Sequence, residues 1–125
     1  MVNKIQRIRI KSGAIASNVA TAYSSNITGR ILAVHVNYPT NNCLVDIDTD
    51  GELKSQKMLD LSSANSDAVY YPRTYAQDET GTDLVYDTSN DKVPVEFVVH
   101  GRLKLSITSG TNGEEVTVDV IYEAY

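Results

Sequence analysis

The sequence predicts an all-β protein, a single-domain antiparallel β-sandwich of jelly-roll type with about eight strands across residues 1–125. Three observations predict this fold class. Apolar side chains recur at every second position in several runs, which is the period of a strand with one buried face. Clusters of Gly, Asn, Asp and Ser separate these runs, as turns do in sandwiches and jelly rolls. No segment carries an apolar stripe at the helical period, and eight tyrosines with many valines suit a pleated surface.

The basic N-terminal segment, residues 3–11, is predicted as the first strand. Ile8 and Ile10 alternate with Arg7, Arg9 and Lys11, so one face is apolar and the other is basic. Basic residues on the wet face of an edge strand also discourage aggregation, which is the simpler interpretation of their presence. Residues 14–25 are rich in Ala, Ser and Thr and fit a strand or a short helix, and we favour the strand.

Residues 31–38 form the next predicted strand. One side of this run carries Leu32, Val34, Val36 and Tyr38, and the other carries Ala33, His35 and Asn37. Pro39 ends the strand, because proline cannot donate a ladder hydrogen bond. Shorter extended runs follow at residues 44–47 and 58–61.

The segment DIDTDG at residues 46–51 has two interpretations. Asp46, Asp48 and Asp50 occupy the first, third and fifth positions of a calcium-binding loop, and a glycine follows in the sixth. The twelfth position, which needs a bidentate glutamate, is Lys57, and a cation there would repel calcium. We therefore favour a strand that enters a hairpin turn at Asp50 and Gly51, and a weak surface calcium site is the alternative.

The loop-rich segment 62–91 is the least regular part of the chain. Turn-forming residues are interleaved there with Tyr70, Tyr71, Tyr75 and Tyr86. Long loops with amphipathic tyrosines are typical of contact surfaces. The alternative is that these tyrosines cover one end of the core as a lid.

Alternation is clearest in the C-terminal part, residues 93–125, which is predicted to form a β-hairpin. Its first run has Val93, Val95, Phe97, Val99, Gly101, Leu103, Leu105 and Ile107 on one parity. Gly101 inside this run indicates a bulge or bend, so the run is either two strands or one bent strand. A glycine-rich turn at 109–113 precedes a second run, in which Val116, Val118, Val120 and Tyr122 alternate with polar residues.

Composition limits the class of protein. The single cysteine, Cys43, cannot form an internal disulfide, and no apolar run predicts a signal peptide or a membrane span. The net charge of -5 is unevenly distributed, because all 16 acidic residues lie at or after Asp46 and the preceding part holds only basic ones. The chain therefore has a basic and an acidic portion that could dock against each other in neighbouring copies. Nucleic-acid binding is disfavoured, because the acidic remainder repels phosphate.

No group of residues predicts a reaction centre. His35 and His100 have no ligand spacing with Cys43, so neither zinc nor a Cys–His nucleophile is supported by a motif. The chain also lacks a phosphate-binding glycine loop and a serine elbow. We expect no enzyme activity, no cofactor and no resident metal.

Several C-terminal motifs resemble small structural proteins of tailed bacteriophages. These are YYPR at 70–73, DETG at 78–81, VVHGRLKL at 98–105, the glycine-rich turn and the final strand that ends at Tyr122. Their order is similar to capsid decoration (cement) proteins and related virion β-sandwiches, over about the C-terminal half. The resemblance implies a jelly roll that is made in the host cytoplasm and binds the outside of an assembled head, as a homo-oligomer such as a trimer. Its partner would be the major capsid protein or another virion shell protein, with no nucleic acid and no membrane.

Two sets of residues are candidates for partner binding. The first is the basic strand, with Lys4, Arg7, Arg9 and Lys11, which would contact an acidic shell surface or an acidic neighbouring copy. The second is the set Tyr70, Tyr71, Arg73 and Tyr75 in the loop-rich segment. The alternative function is a carbohydrate-binding or tail-associated adhesion module, in which the tyrosines stack on sugar rings.

Overall fold

The computed structural model describes residues 4–85 and 91–125, and over these residues the protein is all-β and antiparallel, as the sequence predicts. Within this part of the chain, no helix is long and apolar enough to cross a membrane. The described strands are β1 (Lys4–Lys11), β2 (Ala20–Tyr23), β3 (Ile27–Asn37), β4 (Cys43–Asp50), β5 (Lys57–Ala64), β6 (Ala68–Tyr70), β7 (Arg73–Tyr75), β8 (Pro94–Thr108) and β9 (Thr117–Ala124).

The described strands belong to one nine-stranded antiparallel sheet with the order β1-β9-β3-β8-β4-β5, and β8 joins its two parts, here called the first and second layers. In the first layer β1, β9 and β3 lie side by side, and the first part of β8 pairs with β3 and β7. In the second layer the last part of β8 lies between β2 and β4, and β5 pairs with β4. The short strand β6 pairs with β3 in the first layer.

Gly101 marks the point where β8 passes from one layer to the other. It is the last residue of β8 that pairs with β3, and the next residue, Arg102, pairs with Asp50 of β4. Its φ of 144° is one that other residues rarely adopt. The predicted bend is therefore confirmed, and the run from residue 94 to 108 is one long bent strand.

The predicted C-terminal hairpin is wrong, although both of its strands exist. Strand β9 pairs with β1 and β3, whereas the described partners of β8 are β2, β3, β4 and β7. Both edges of β8 are thus occupied by other strands. The turn between β8 and β9 instead pairs with the β1–β2 connection, because Ile15 N donates to Glu114 O (2.8 Å) and Gly113 N donates to Ile15 O (2.9 Å).

The buried side chains of both layers form one hydrophobic cluster. The fully buried members include Ile31 and Val34 of β3, Ile47 of β4, and Leu103 and Leu105 of β8. The predicted alternation is confirmed from Phe97 to Ile107 in β8 and from Val118 to Tyr122 in β9, whereas Val95, on the predicted core side of β8, is exposed to 38%. Burial of such a cluster on folding is the main favourable contribution to stability.

One predicted core residue is displaced by a β-bulge in β3. The register of β3 against β9 shifts between Ile31 and Ala33, so Leu32 is an extra residue with no direct partner. As a result Ile31 is fully buried, while Leu32 is only half-buried. The alternation is otherwise as predicted, since Val34, Val36 and Tyr38 are buried.

The loop-rich segment 62–91 contains more regular structure than predicted. The end of β5 and the short strands β6 and β7 lie within it, and residues 86–90, with Tyr86, lie outside the described residues. The predicted strand in residues 14–25 is shorter than expected, since β2 covers only Ala20–Tyr23. The predicted strand at 3–11 is β1, whose first described residue is Lys4.

Candidate functional site

The basic residues of β1 do not all share one face. Arg7, Arg9 and Lys11 lie on the outer face of the first layer, the side away from the core, and we call these three the basic face. Lys4 has the opposite parity, the same as the buried Ile10, so it points to the other side of the strand. β1 ends the strand order and pairs only with β9 among the described strands. The basic face therefore lies beside an open strand edge.

Arg9 is held by a bidentate ion pair with Asp119 on β9. Arg9 Nε lies 2.7 Å from Asp119 Oδ1, and Nη2 lies 2.9 Å from Oδ2. The two residues are direct neighbours in the β1–β9 register. This hydrogen-bonded pair lowers the pKa of Asp119 and raises that of Arg9. Within the described part of the chain, Arg7 and Lys11 form no ion pair, so they carry the available positive charge of the basic face.

A groove of about 510 Å³ lies next to the basic face, on the same outer surface. Arg9 of β1 forms one wall, and Asp67, Ala68 and Val69 form the other, beside β3. Asp67 is fixed there, because its Oδ1 accepts a hydrogen bond from Tyr38 N at 2.9 Å. The remaining lining residues are His35, Val36, Asn37, Thr117 and Asp119. Of these nine residues, only Arg9 is a candidate from the sequence.

Only some of the groove residues outside the predicted set can be recognised from the pattern of the sequence. Alternation places Asp119 and His35 on polar faces of their strands. Sequence alone did not show that β9 lies between β1 and β3, which aligns Arg9, Asp119 and His35 in one row. The groove is therefore a product of strand order rather than of a motif.

Arg30, one of the five basic residues before Asp46, forms ion pairs within the first layer. Its guanidinium contacts Glu123 of β9 at 2.8 Å and Glu96 of β8 at 2.5 Å. These two strands flank β3, so Arg30 joins three neighbouring strands on the outer face. Hydrogen bonds to Glu123 and then Glu96 raise the pKa of Arg30, which therefore remains charged.

The tyrosine set is divided by the structure. Tyr70 pairs with the buried Val34 and packs against the core, as the lid interpretation expects of it. Tyr71 and Tyr75 are exposed to 65% and 47%, and Lys92 Nζ lies 5.0 Å from the Tyr75 ring centroid. Arg73 donates a hydrogen bond to the carbonyl oxygen of Pro72 at 2.7 Å. Tyr71, Arg73 and Tyr75 thus remain as surface candidates.

The two candidate sets lie on different strands, with the basic face on β1 and the residues Tyr71, Arg73 and Tyr75 in and beside β7. From β1 the order runs through β9, β3 and β8 to β7. Tyr71 is two residues beyond Val69 of β6, which lines the groove, so it lies within about 7 Å of that residue. The nine residues that line the groove include Arg9 of the basic face and neither Tyr71 nor Tyr75.

The DIDTDG segment forms the end of β4 and the start of a hairpin, as the favoured interpretation predicts. Lys57 Nζ lies 3.9 Å from Asp46 and 3.8 Å from Asp48, and Asp50 is paired with Arg102. Lysine thus lies between two of the three carboxylates. Among the described residues, no group of three or more His, Cys, Asp or Glu side chains has a geometry suited to a metal ion.

The environment of the Asp46 carboxyl predicts how the free energy of unfolding changes with pH. Burial raises its pKa, the facing carboxylates Asp60 and Asp48 add to this effect, and Lys57 opposes it. Just above about pH 4, the ordinary pKa of an aspartate, this carboxyl is therefore protonated to a larger extent in the folded protein than in the unfolded chain. Its contribution to the free energy of unfolding consequently decreases as the pH rises through this range. Asp46→Asn removes the effect. We expect the difference in unfolding free energy, native protein minus variant, to decrease with rising pH in urea titrations.

Asp119→Asn is the matched control with the opposite sign. The hydrogen bond from Arg9 lowers the pKa of Asp119, so its contribution to stability is present above the ordinary carboxyl pKa and is lost as pH falls. The unfolding free energy of the native protein minus that of Asp119→Asn should therefore increase with rising pH. A flat difference curve for Asp46→Asn would contradict the assigned environment of that carboxyl.

The cysteine and histidines do not come together as a nucleophilic pair. Cys43 is buried in the core, and burial raises the pKa of its thiol. His35 and His100 are exposed on β3 and β8, and His100 Nδ1 lies 2.9 Å from Thr28 Oγ1. A protonated buried thiol is a poor nucleophile.

No protein-family model, no curated protein and no solved structure matches this chain. The main features of the described surface are the basic face, the adjacent groove and the exposed side chains of Tyr71 and Tyr75.

Proposed function

We propose that the protein is a structural component of a phage particle that binds the outside of an assembled capsid and stabilises it without catalysis. The basic face of β1 is the proposed contact. The observation that carries this proposal is the exposed position of Arg7 and Lys11, without ion pairs among the described residues, beside an open strand edge. The resemblance of the C-terminal motifs to decoration proteins supports the same role.

The proposed contact is electrostatic, with an acidic surface of the shell as the partner. Exposed cations speed the encounter with an acidic partner and set its orientation, while each pair adds only about 0.2–1 kcal/mol. Arg9 contributes less, because Asp119 already neutralises it. When many copies bind to one particle, their weak contacts would together stabilise the particle.

Reversal of the two available charges tests this proposal. The double variant Arg7→Glu and Lys11→Glu should bind purified empty heads more weakly, on the order of tenfold, when binding is measured by co-sedimentation. Because exposed charges are screened by salt, the loss should be largest at low ionic strength. The contact should also weaken with salt in the native protein.

Lys54→Glu is the matched control, because Lys54 is exposed in the turn between β4 and β5. It should leave sedimentation unchanged. Equal occupancy of the double variant and the native protein on particles would reject β1 as the contact.

A second candidate function is carbohydrate binding by the exposed rings of Tyr71 and Tyr75. Exposed aromatic rings provide flat apolar surfaces with a polar edge, which suits sugar rings. In this case the double variant Tyr71→Ala and Tyr75→Ala should lose binding to host polysaccharide in a pelleting assay. Tyr125→Ala, which removes a ring exposed to 60% at the C-terminal end, should not. Binding to heads with no binding to polysaccharide would exclude this candidate.

A further inference from the structure

The groove beside β1 has a polar floor that two paired strands provide. The floor consists of outward-facing side chains of β9 and β3, in which His35 lies opposite Asp119 and Asn37 lies opposite Thr117. Apolar side chains at residues 68–69 contribute to one wall. A groove with a polar floor and an apolar wall suits a ligand that itself has polar groups and an apolar face.

Hydrogen bonds hold the polar side chains of the groove in place. Asn37 Nδ2 donates to Asp67 Oδ2 at 3.2 Å, and Tyr38 N donates to Asp67 Oδ1 at 2.9 Å. On the side of β1, the bidentate pair with Arg9 fixes Asp119. Side chains that are already fixed lose little conformational entropy when a ligand binds. The groove is therefore preorganised for binding.

The charge of the lining disfavours an ionic ligand. The lining contains two carboxylates and one guanidinium, so an anion would meet a slight excess of negative charge. A cation is not favoured either, because Arg9 neutralises Asp119 and both oxygens of Asp67 already accept hydrogen bonds. An apolar ligand would remove water from the polar floor without replacing its hydrogen bonds, which is unfavourable. The lining therefore favours a neutral ligand with several polar groups.

The remaining hydrogen-bonding capacity of the lining matches hydroxyl groups. Carboxylate oxygens accept more than one hydrogen bond, so Asp67 and Asp119 can accept further ones. The guanidinium of Arg9 and the amide of Asn37 have further N–H groups to donate. A sugar hydroxyl is both donor and acceptor, so neighbouring hydroxyls of one ring can bond to both kinds of group. The C–H face of a sugar ring is apolar and can pack on Val69, which is exposed to 42%.

We propose that this groove binds a neutral saccharide, with its hydroxyl groups on the polar floor and an apolar ring face against Val69. The groove volume of about 510 Å³ lies within the range of about 300–1,000 Å³ that is usual for ligand pockets, so a short oligosaccharide fits. The inference goes beyond the proposed capsid contact, because Arg7 and Lys11 do not line the groove. It also differs from sugar stacking on Tyr71 and Tyr75, which do not line the groove either.

Heteronuclear NMR of the isotope-labelled protein can locate the bound sugar. The probes are neutral oligosaccharides of glucose, galactose, mannose and N-acetylglucosamine, with acetate and methylammonium as the ionic alternatives. At least one oligosaccharide should shift the amide signals of residues 35–37, 67–69 and 117–119 in a saturable manner. We expect saturation at millimolar concentration, because each hydrogen bond to the sugar replaces one to water and its net gain is small. The ionic probes should show no saturable shifts in the groove.

Two variants remove the site in different ways. Thr117→Trp places a large ring on the groove floor, where it excludes the ligand, and should lower the affinity by about tenfold or more. Asn37→Ala removes one donor and should lower the affinity on the order of fivefold. The matched controls are Thr21→Trp, at an exposed position of β2, and Asn26→Ala, in the exposed connection between β2 and β3. Both controls should bind like the native protein, and dispersed NMR spectra should show that all four variants are folded.

A protein that shows no saturable shift with any of the oligosaccharides would overturn the proposal. Saturable binding of acetate or methylammonium in the groove without sugar binding would overturn it as well. Sugar binding that neither groove variant weakens would also contradict it, and shifts confined to the amides near Tyr71 and Tyr75 would favour those rings as the sugar site. Head binding of the double variant Arg7→Glu and Lys11→Glu is measured separately, so the proposed function and the groove site can fail independently.

Discussion

Gly29→Ala is expected to destabilise the protein by about 3 kcal/mol or more, which is at the upper end of the cost of overpacking. Gly29 lies in β3 between Ala124 of β9 and Val99 of β8. A Cβ atom at this position would lie 2.1 Å from the carbonyl oxygen of Glu123 and 3.2 Å from Ala124 Cα. Both are backbone atoms, so no side-chain rotation relieves the clash. Strand β9 itself would have to move, although β1 and β3 hold it on both sides.

Thermal unfolding measures this effect, with an expected decrease in the melting temperature on the order of 10 °C. Gly110→Ala is the matched control. A Cβ there would lie 2.7 Å from Ile15 Cδ1, the end of a flexible side chain that can rotate away. We expect a clearly smaller decrease for this variant. An unchanged melting temperature for Gly29→Ala would show that β3 and β9 do not approach this closely.

Leu105→Ala is expected to cost about 2–5 kcal/mol of unfolding free energy, the usual range for a buried leucine. Leu105 is 0% exposed and lies between Ala22 of β2 and Ile47 of β4. Removal of its side chain leaves a cavity, because strands paired on both sides cannot close around it. Urea denaturation should show a lower midpoint with an unchanged slope.

Leu53→Ala is the control for the same chemical change at the surface. Leu53 is 107% exposed in the turn between β4 and β5, so its truncation should change stability by less than about 0.5 kcal/mol. Equal effects at the two positions would contradict the placement of Leu105 in the core. The contrast separates loss of packing from a general effect of leucine removal.

The two β1 positions Arg7 and Lys4 show how far alternation can predict a surface. The pleat alone places Arg7, Arg9 and Lys11 on one side, and the structure confirms this. Lys4 was grouped with them by charge, but its even position puts it on the other side. The number of basic residues identifies β1 as a basic strand. The odd or even position of each residue decides which of these basic side chains share a face.

The unexpected pairing of β9 shows what local sequence does not contain. A glycine-rich turn between two alternating runs is typical of a hairpin, and neighbouring runs pair in about two-thirds of cases. Here the turn bonds to the connection around Ile15, and β9 fills the space between β1 and β3. The choice of partner depends on which faces pack together across the whole core. A single run of residues carries no such information.

The sequence by itself determined the all-β class, the bend at Gly101 and the side on which most strand residues lie, because the two-residue period of a strand is a local property of the backbone. Tertiary structure decided the strand order, the bulge at Leu32 and the groove that joins Arg9, Asp119 and His35. The physical reason is that the backbone N–H and C=O groups along the edge of one strand can form hydrogen bonds with the edge of any other strand. Burial of one common core by both layers selects among them.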